Sequence, residues 1–238
     1  VSQDEHVLCT DKVRFVGDPV AAVVAADELA AEEAARLVAV RYEPLATVAT
    51  PEEALATPEP RIHDHGDGGN VHKAAALDFG DVPAALAGSH RVFEDLFFYQ
   101  GNNHLALEQH ATLAYLDPDG LLTIASSTQT PHYLHRAAAK VLGLPPARLR
   151  VVAQPQGGGF GGKTDLFGHE IVAAKAALLT GRPVKISLTR EEVFYCHRGR
   201  HPVRMRLRTG VAGDGRILGH SVETLLDGGA YGSYGVAS

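Results

Sequence analysis

The strongest chemical signal in the sequence is a glycine loop, Gly157-Gly158-Gly159-Phe160-Gly161-Gly162-Lys163-Thr164. An apolar run at 149–153 precedes the loop and a helical pattern at about 166–179 follows it, which is the context of a P-loop. In a P-loop, Lys163 would reach the terminal phosphates of a nucleotide and Thr164 would ligate magnesium. Asp227, which follows two leucines, would then be the acidic residue of the second motif. This pattern predicts a nucleotide triphosphatase.

Two features of the loop weigh against that prediction. The first strand of a P-loop usually opens its domain, whereas this strand follows a long stretch of mostly β structure. Five of the eight residues are glycine, more than a P-loop requires, so the backbone on both sides of Phe160 can approach a ligand closely. Bare N–H groups at the start of a helix bind anions in general, of which phosphate is one. A tight turn without a ligand is the remaining alternative.

Motifs on either side of the loop indicate a different chemistry. In chain order they are Leu107-Glu108-Gln109-His110, Ser127-Thr128-Gln129-Thr130-Pro131, the glycine loop, Thr180-Gly181-Arg182-Pro183-Val184 and Gly199-Arg200-His201-Pro202. Together with segment 12–23 they resemble, in order and approximate spacing, the large subunit of the molybdenum hydroxylases, the xanthine oxidase family. The resemblance covers essentially the whole chain and is far more specific than one P-loop match. In detail, segments 126–136, 194–202 and 225–232 are most similar to the 4-hydroxybenzoyl-CoA reductase α subunits of that family.

The resemblance implies an α+β fold, in which a small a/b hammerhead unit is followed by part of the first molybdopterin-binding domain. We place the C-terminal part of the hammerhead unit and an exposed, proline-rich connector at 1–76. The molybdopterin-binding part, which we expect to be incomplete, occupies 77–238. Because Val1 is not a start methionine and the chain stops within a glycine-rich motif, we expect a fragment of a longer polypeptide.

The resemblance also assigns roles to residues of the loop and its neighbour. Gln129 matches the glutamine that hydrogen-bonds an oxygen ligand of molybdenum, a role that suits an amide because it does not compete as a metal ligand. Phe160 and Gly161 match residues whose backbone lies against the metal's oxo ligand and the pterin, and Gly158 and Gly159 belong to the same loop. We therefore predict Gln129 as catalytic and cofactor-binding and the four loop residues as cofactor-binding, with no protein ligand to the metal.

One position departs from the purine-oxidising members of the family. Those enzymes carry a glutamate directly after the loop lysine, where it can hydrogen-bond the purine. Here the position is Thr164, followed by Asp165. Since a neutral hydroxyl cannot replace that carboxylate, the sequence disfavours xanthine as the substrate.

Other polar clusters have less specific interpretations. His63, Asp64, His65, Asp67 and His72 are better interpreted as a solvated loop than as a metal cluster. Glu108 and His110 would lie on one face of a strand, because alternate residues share a side, and structural hydrogen bonding fits them better than acid–base chemistry.

The basic residues near the end of the chain have two interpretations. His197, Arg198, Arg200 and His201 could meet the phosphates of a CoA ester, or Arg200 could pair with a carboxylate inside its own domain. Nothing in the sequence identifies Cys196 as a thiol of low pKa, so we expect it to be inert.

The resemblance finally implies the reaction, cofactors and partners. Molybdenum would be held by a pterin dithiolene, as molybdopterin cytosine dinucleotide, with iron–sulfur clusters on a small subunit and FAD on a medium subunit. The expected reaction is reductive dehydroxylation of 4-hydroxybenzoyl-CoA to benzoyl-CoA by reduced ferredoxin, with aldehyde or heterocycle hydroxylation as the alternative. A non-catalytic cofactor-binding module is a further alternative. Because the family's catalytic glutamate cannot be assigned within this chain, we expect the 238 residues alone to be inactive.

Composition is consistent with this class of protein. The 238 residues contain 22 Lys+Arg and 28 Asp+Glu, a formal charge of −6, which gives no electrostatic footprint for nucleic acid or an anionic membrane. Cys9 and Cys196 are the only cysteines, too few for a four-cysteine iron–sulfur site. No apolar run is long enough for a membrane span and no signal peptide is apparent, so we expect a cytoplasmic protein.

The elements that must position the loop follow from periodicity and turn residues. We predict strands at 13–16, 20–24, 40–42, 92–99, 111–115, 121–126, 149–153 and 183–188, and a long hairpin at 204–227. We predict three helices. The first begins after Asp27, which can act as its N-cap, and the other two span 132–142 and about 166–179. Residues 50–73 form the connector.

Overall fold

The computed structural model describes residues 5–65, 69–196, 198–233 and 235. The helices are α1 (Glu28–Arg36), α2 (Pro51–Ala56), α3 (Val82–Ala87), α4 (Pro131–Leu142), α5 (Gly168–Thr180) and α6 (Arg190–Cys196). The strands are β1 (Arg91–Tyr99), β2 (Ala111–Leu116), β3 (Leu122–Ser126), β4 (Leu149–Ala153), β5 (Val184–Ser187), β6 (Val203–Val211) and β7 (Ile217–Leu226). Helices and largely antiparallel strands thus share the chain, and the predicted α+β class is confirmed.

The chain divides into two compact units, each made of more than one stretch of sequence. The loop unit contains residues 5–44 and 103–199, and the hairpin unit contains residues 45–102 and 200–233. The sequence boundary that we place near residue 76 stays a prediction. In the part of the chain that the structure describes, no helix is long and apolar enough to cross a membrane.

The loop unit is built on a four-stranded sheet of order β4-β3-β2-β5. Strands β2 and β3 form a hairpin whose turn is closed by Gly120 N–H donating to Asp117 O at 2.8 Å. Strand β4 then joins β3 in parallel, and α4 connects the two. Helix α4 ends at Gly143, which takes the left-handed conformation (φ 66°) that favours glycine.

The core of the loop unit lies between this sheet and helices α4 and α5. It is rich in alanine along α5, which lets the helix approach the strands closely. Its fully buried larger members are Leu122, Ile124 and Leu134. This packing fixes the ends of β3 and β4 and the start of α5, the points from which the glycine loop is held.

The hairpin unit is a three-stranded antiparallel sheet of order β1-β6-β7. Helix α3 packs on β6 and β7 where both strands carry glycine. A Cβ added at Gly210 would lie 2.2 Å from Ser89 Oγ, and one at Gly219 would lie 2.9 Å from Ala85 Cβ. The absence of side chains at these two positions therefore allows the close packing of the helix and the turn after it.

Most predicted elements are confirmed, including strands 92–99, 111–115, 121–126, 149–153 and 183–188, the hairpin at 204–227 and the three helices. Asp27 caps α1 as predicted, its carboxylate accepting from Ala30 N–H at 2.9 Å. The predicted strands at 13–16, 20–24 and 40–42 are wrong, because these segments join no strand ladder among the described residues. The turn at Gly17 is present, with Asp18 N–H donating to Phe15 O.

Three helices were not predicted, α2, α3 and α6. Helix α2 lies inside the predicted connector and begins with a capping box. Thr50 Oγ1 accepts from Glu53 N–H, and the Glu53 carboxylate accepts from Thr50 N–H. Thr189 and Glu192 make the same reciprocal pair at the start of α6. The sequence signal, threonine followed three residues later by glutamate, was present in both cases.

Candidate functional site

The glycine loop leaves β4 and reaches the first turn of α5 through irregular backbone at 154–167. Three residues at its tip have positive φ: Gly158 (104°), Phe160 (53°) and Gly161 (91°). A phenylalanine in this region is strained, so the surrounding structure must impose the conformation. The Phe160 side chain is 71% exposed. The tip therefore offers main chain on both sides of one exposed aromatic ring.

Gln129 follows β3 and is held against the loop by its amide oxygen. The oxygen, Oε1, accepts from Gly161 N–H at 3.1 Å and from Lys163 N–H at 3.2 Å, while Gln129 N–H donates to Lys163 O at 3.0 Å. These two donors fix which way the amide faces. The Nε2 group makes no hydrogen bond to the part of the chain that the structure describes. The Nε2 end of the Gln129 amide is therefore a hydrogen-bond donor without an acceptor among the described residues.

Gly159 allows this approach between loop and glutamine. A Cβ at Gly159 would lie 2.6 Å from Gln129 Oε1, a separation that real Cβ atoms do not show. Position 159 therefore favours glycine because of this close contact with Gln129, and not because of its φ angle. The structure thus brings Gln129, Gly158, Gly159, Phe160 and Gly161, the five predicted site residues, into one cluster. Their roles stay predictions.

Lys163 does not occupy the position of a P-loop lysine. Its side chain is 1% exposed, and Nζ donates to Glu108 Oε2 at 2.5 Å. Thr164 Oγ1 is also engaged, donating to Gly161 O at 2.7 Å. Helix α5 begins only at Gly168, so the Gly-Lys-Thr triplet is not at a helix N-terminus. This geometry does not support the nucleotide triphosphatase hypothesis.

Glu108 forms hydrogen bonds to both ends of the glycine loop, and the sequence did not reveal these partners. Its Oε2 accepts from Gly157 N–H at 3.1 Å as well as from Lys163, and its own N–H donates to Gly157 O at 3.2 Å. The expectation that Glu108 and His110 lie on a strand is wrong, since β2 begins at Ala111 and 105–110 has no ladder. The expectation of structural hydrogen bonding describes Glu108 well.

Aromatic and titratable side chains pack beneath the loop. His110 Nε2 lies 3.4 Å from Gly162 O, and the His110 ring meets that of Phe167 edge to face at 4.9 Å. Burial lowers the pKa of neighbouring His169 to about 4. Burial also raises the pKa of Glu170 to about 7, against the opposing effect of hydrogen bonds from Phe167 N–H and Ser126 Oγ. His169 is therefore neutral at pH 7, whereas Glu170 is only partly ionised there.

The described basic residues near the end of the chain differ in their partners. Arg198 pairs with Asp165 and with Glu5, so its charge is already compensated. His201 Nδ1 lies 3.0 Å from Asp227 O, whereas Arg200 is exposed and makes no ion pair with the described residues. His197 lies outside the described residues.

The remaining candidates have no catalytic geometry. His63 Nε2 lies 2.6 Å from Ala230 O, and Asp67 is outside the described residues. Among the described ranges, no group of three or more His, Cys, Asp or Glu side chains could hold a metal ion. Burial and nearby Glu192 and Asp18 raise the pKa of Cys196, which disfavours a reactive thiolate.

Comparison with known protein families identifies two domains. A molybdopterin cofactor-binding domain matches residues 62–238, and the a/b hammerhead domain of aldehyde oxidase and xanthine dehydrogenase matches residues 1–46. The order of a hammerhead unit followed by a molybdopterin-binding domain is as predicted.

Individual relatives agree with these matches. The chain is 40% identical over 240 residues to the nicotinate dehydrogenase large molybdopterin subunit of Eubacterium barkeri, covering 100% of the chain and 55% of that protein. It is 38% identical to a putative xanthine dehydrogenase molybdenum-binding subunit of Escherichia coli, covering 97% of the chain and 30% of that protein. The chain thus spans about half, or less, of the length of these relatives.

Solved structures show the same likeness. Quinoline 2-oxidoreductase from Pseudomonas putida 86 superposes with a TM-score of 0.89 at 30% identity, over 94% of this chain and 28% of that one. Aldehyde oxidoreductase from Desulfovibrio gigas superposes with a TM-score of 0.87 at 28% identity, over 98% of this chain and 26% of that one.

Proposed function

The chain belongs to the xanthine oxidase family of molybdopterin-binding subunits, and from this premise we propose that it is the part of a molybdenum hydroxylase that presents Gln129 and the glycine loop to the cofactor. The proposed reaction is hydroxylation of an aromatic nitrogen heterocycle, in which a ring C–H becomes C–OH with oxygen from water. Two electrons and two protons leave the substrate and water. The observation that carries the proposal is the Gln129 amide, fixed by two backbone N–H groups so that its donor end is left for a ligand.

The residues present fit a molybdenum–pterin group. Gly159 lacks the Cβ that would collide with Gln129, and the positive φ angles of Gly158 and Gly161 turn main chain toward the loop surface. Gln129 Nε2 would donate to an oxygen ligand of the metal, and the backbone of 158–161 would lie against the oxo ligand and the pterin. When bound, the molybdenum centre supplies the two-electron redox chemistry.

Three observations support a heterocycle rather than a purine or a CoA ester. Nicotinate and quinoline are the compounds named for two of the relatives. Thr164 stands in place of a carboxylate, and its hydroxyl donates a hydrogen bond to Gly161 O. Arg198, one of the basic residues that could have met CoA phosphates, is paired with two carboxylates. Reductive dehydroxylation of 4-hydroxybenzoyl-CoA is therefore the second candidate.

The proposal extends to cofactor form and partners. The cofactor is molybdopterin cytosine dinucleotide, and the complex is completed by an iron–sulfur small subunit and a flavin medium subunit in the cytoplasm. Cys9 and Cys196 are too few for a four-cysteine iron–sulfur cluster within these 238 residues.

The test uses the complete complex purified from its native host. Molybdenum is determined by mass spectrometry, CMP is measured after acid hydrolysis, and turnover is assayed with nicotinate, xanthine and 4-hydroxybenzoyl-CoA. We expect near-stoichiometric molybdenum and CMP, with oxidation of nicotinate faster than that of xanthine. Benzoyl-CoA formation with a low-potential donor, and no nicotinate oxidation, would establish the reductase instead. Absence of molybdenum and CMP in a complex with intact iron–sulfur centres would indicate a non-catalytic module.

A further inference from the structure

Lys163, which pairs with Glu108, is an almost completely buried cation. The Lys163 side chain is 1% exposed and the Glu108 side chain is 32% exposed, with Nζ and Oε2 2.5 Å apart. Ion pairs elsewhere in the described chain, such as Arg150–Asp117, involve a cation that is at least one-fifth exposed. Lys163 is thus a buried cation with one carboxylate partner.

The Glu108 carboxylate also binds Gly157, the first residue of the glycine loop. Glu108 Oε2 accepts from Gly157 N–H, and the two backbones exchange a further bond from Glu108 N–H to Gly157 O. A Cβ at Gly157 would lie 2.7 Å from Glu108 Cβ, so the contact is as close as glycine permits. One side chain therefore ties the first residue of the loop to the lysine at its end.

The lysine in turn carries the backbone that orients Gln129. Lys163 N–H and Gly161 N–H are the two donors to Gln129 Oε1, and Lys163 O accepts from Gln129 N–H. If the ammonium group left its burial site to reach water, this backbone would move with it. Gln129 would then lose the contacts that fix its amide.

We infer that Glu108 is a positioning residue, whose charge keeps Lys163 buried and thereby holds Gln129 and the loop in the geometry that receives the cofactor. The inference rests on the proposed function for its cofactor readout only. It requires that Lys163 matter through its charge and burial, and that neither side chain contact the cofactor. Removing one partner of a buried pair leaves an uncompensated charge, whereas replacing both by uncharged groups of similar shape is far less harmful.

The test compares three variants of the complete subunit in its complex: Glu108→Gln, Lys163→Met and the double variant. Glutamine keeps an acceptor for Gly157 N–H but removes the counter-charge, and methionine keeps most of the lysine's apolar volume. Arg150→Met, which breaks the more exposed Arg150–Asp117 ion pair and leaves the contacts of Glu108 and Lys163 in place, is the matched control. Hydrogen exchange of peptides covering 154–166 reports loop order, and molybdenum content reports cofactor loading.

We expect Glu108→Gln to accelerate exchange of the loop at least tenfold and to lower molybdenum content at least threefold. Lys163→Met should change both readouts less than twofold, because the Glu108 carboxylate that it leaves unpaired is 32% exposed and can be hydrated. Arg150→Met should also change both less than twofold, and the double variant should return to the level of Lys163→Met. If Glu108→Gln does not fold, recovery of a folded double variant supports the same conclusion, and a double variant that also fails to fold overturns it.

Two other results would overturn the inference. A double variant as impaired as Glu108→Gln would show that Glu108 acts without Lys163. Loss of molybdenum in Lys163→Met, with loop exchange unchanged, would show that the lysine touches the cofactor. If the wild-type complex contains no molybdenum, the proposed function fails, while the exchange measurement still decides the role of Glu108.

Discussion

At the scale of single residues, the two ends of the Gln129 amide do different work. The oxygen holds the loop through Gly161 and Lys163, and we propose that the nitrogen donates to a ligand. A substitution that separates acceptor from donor therefore separates structure from function.

Gln129→Glu makes this separation. A carboxylate keeps an acceptor for both backbone N–H groups but cannot donate, and it repels an oxygen ligand. We expect turnover by the complete complex to fall about a hundredfold, the usual effect of removing one positioned donor, with an unchanged thermal midpoint. Gln129→Ala, which loses both functions, should also lower the midpoint. Equal turnover in Gln129→Glu and wild type would refute the donor role.

The sequence predicted which residues form the cluster but not what holds them. Gln129 and the glycines were identifiable from motifs, because a glycine-rich run and a Thr-Gln pair are local signals. The Glu108–Lys163 contact joins residues 55 positions apart, and no local pattern announces it. Lys163 also completes a P-loop pattern, but its side chain is buried, and this does not support phosphate binding. Motif reading could not supply the direction of that side chain.

At the scale of elements, the accuracy of the sequence-based predictions depended on whether an element is stabilised by local interactions or by a hydrogen-bonded neighbour. Helix α4 was predictable from its proline start and its glycine end, and the β2–β3 hairpin from its turn. Segments 13–16, 20–24 and 40–42 have strand-like composition, yet a strand exists only when a neighbour accepts its hydrogen bonds. Helices α2 and α6 had readable capping boxes that their short lengths obscured.

The start of α5 gives a pH prediction. Glu170 receives hydrogen bonds from Phe167 N–H and Ser126 Oγ, and its burial raises its pKa from the ordinary 4.5 to about 7. Between these values the unfolded chain releases the proton while the folded chain retains it. Folding stability from this group therefore declines as pH rises from 4.5 to 7, by about 3 kcal/mol at most.

Glu170→Gln removes this titration. The thermal midpoint of the variant relative to wild type should rise progressively between pH 5 and pH 7 and level off above that, measured on the complete subunit. Glu192→Gln, which alters the exposed capping glutamate of α6, is the control and should show no such trend. A difference for Glu170→Gln that is constant across the range would contradict the assigned pKa.

At the scale of the whole molecule, we propose that the described chain supplies a cofactor cradle rather than a complete catalytic apparatus. Three carboxylates lie in or against the loop segment, and each is already engaged: Glu108 with Lys163, Asp165 with Arg198, and Glu170 with Ser126. Hydroxylation needs a base beside the reacting water, and none of these three is available for it. The chain also spans 55% of the nicotinate dehydrogenase large subunit and 30% of the xanthine dehydrogenase subunit.

We therefore expect residues 1–238, expressed on their own, to oxidise neither nicotinate nor xanthine and to reduce no 4-hydroxybenzoyl-CoA, whereas the complete complex turns over. The comparison requires a fragment that is folded by circular dichroism and that has been incubated with cofactor released from the native complex. Molybdenum retained after gel filtration measures binding separately from turnover. Because Gln129 and the loop are intact in the fragment, weak retention that Gln129→Ala abolishes would agree with a cradle. Turnover by the fragment that Gln129→Glu abolishes would instead show that a base lies within these residues.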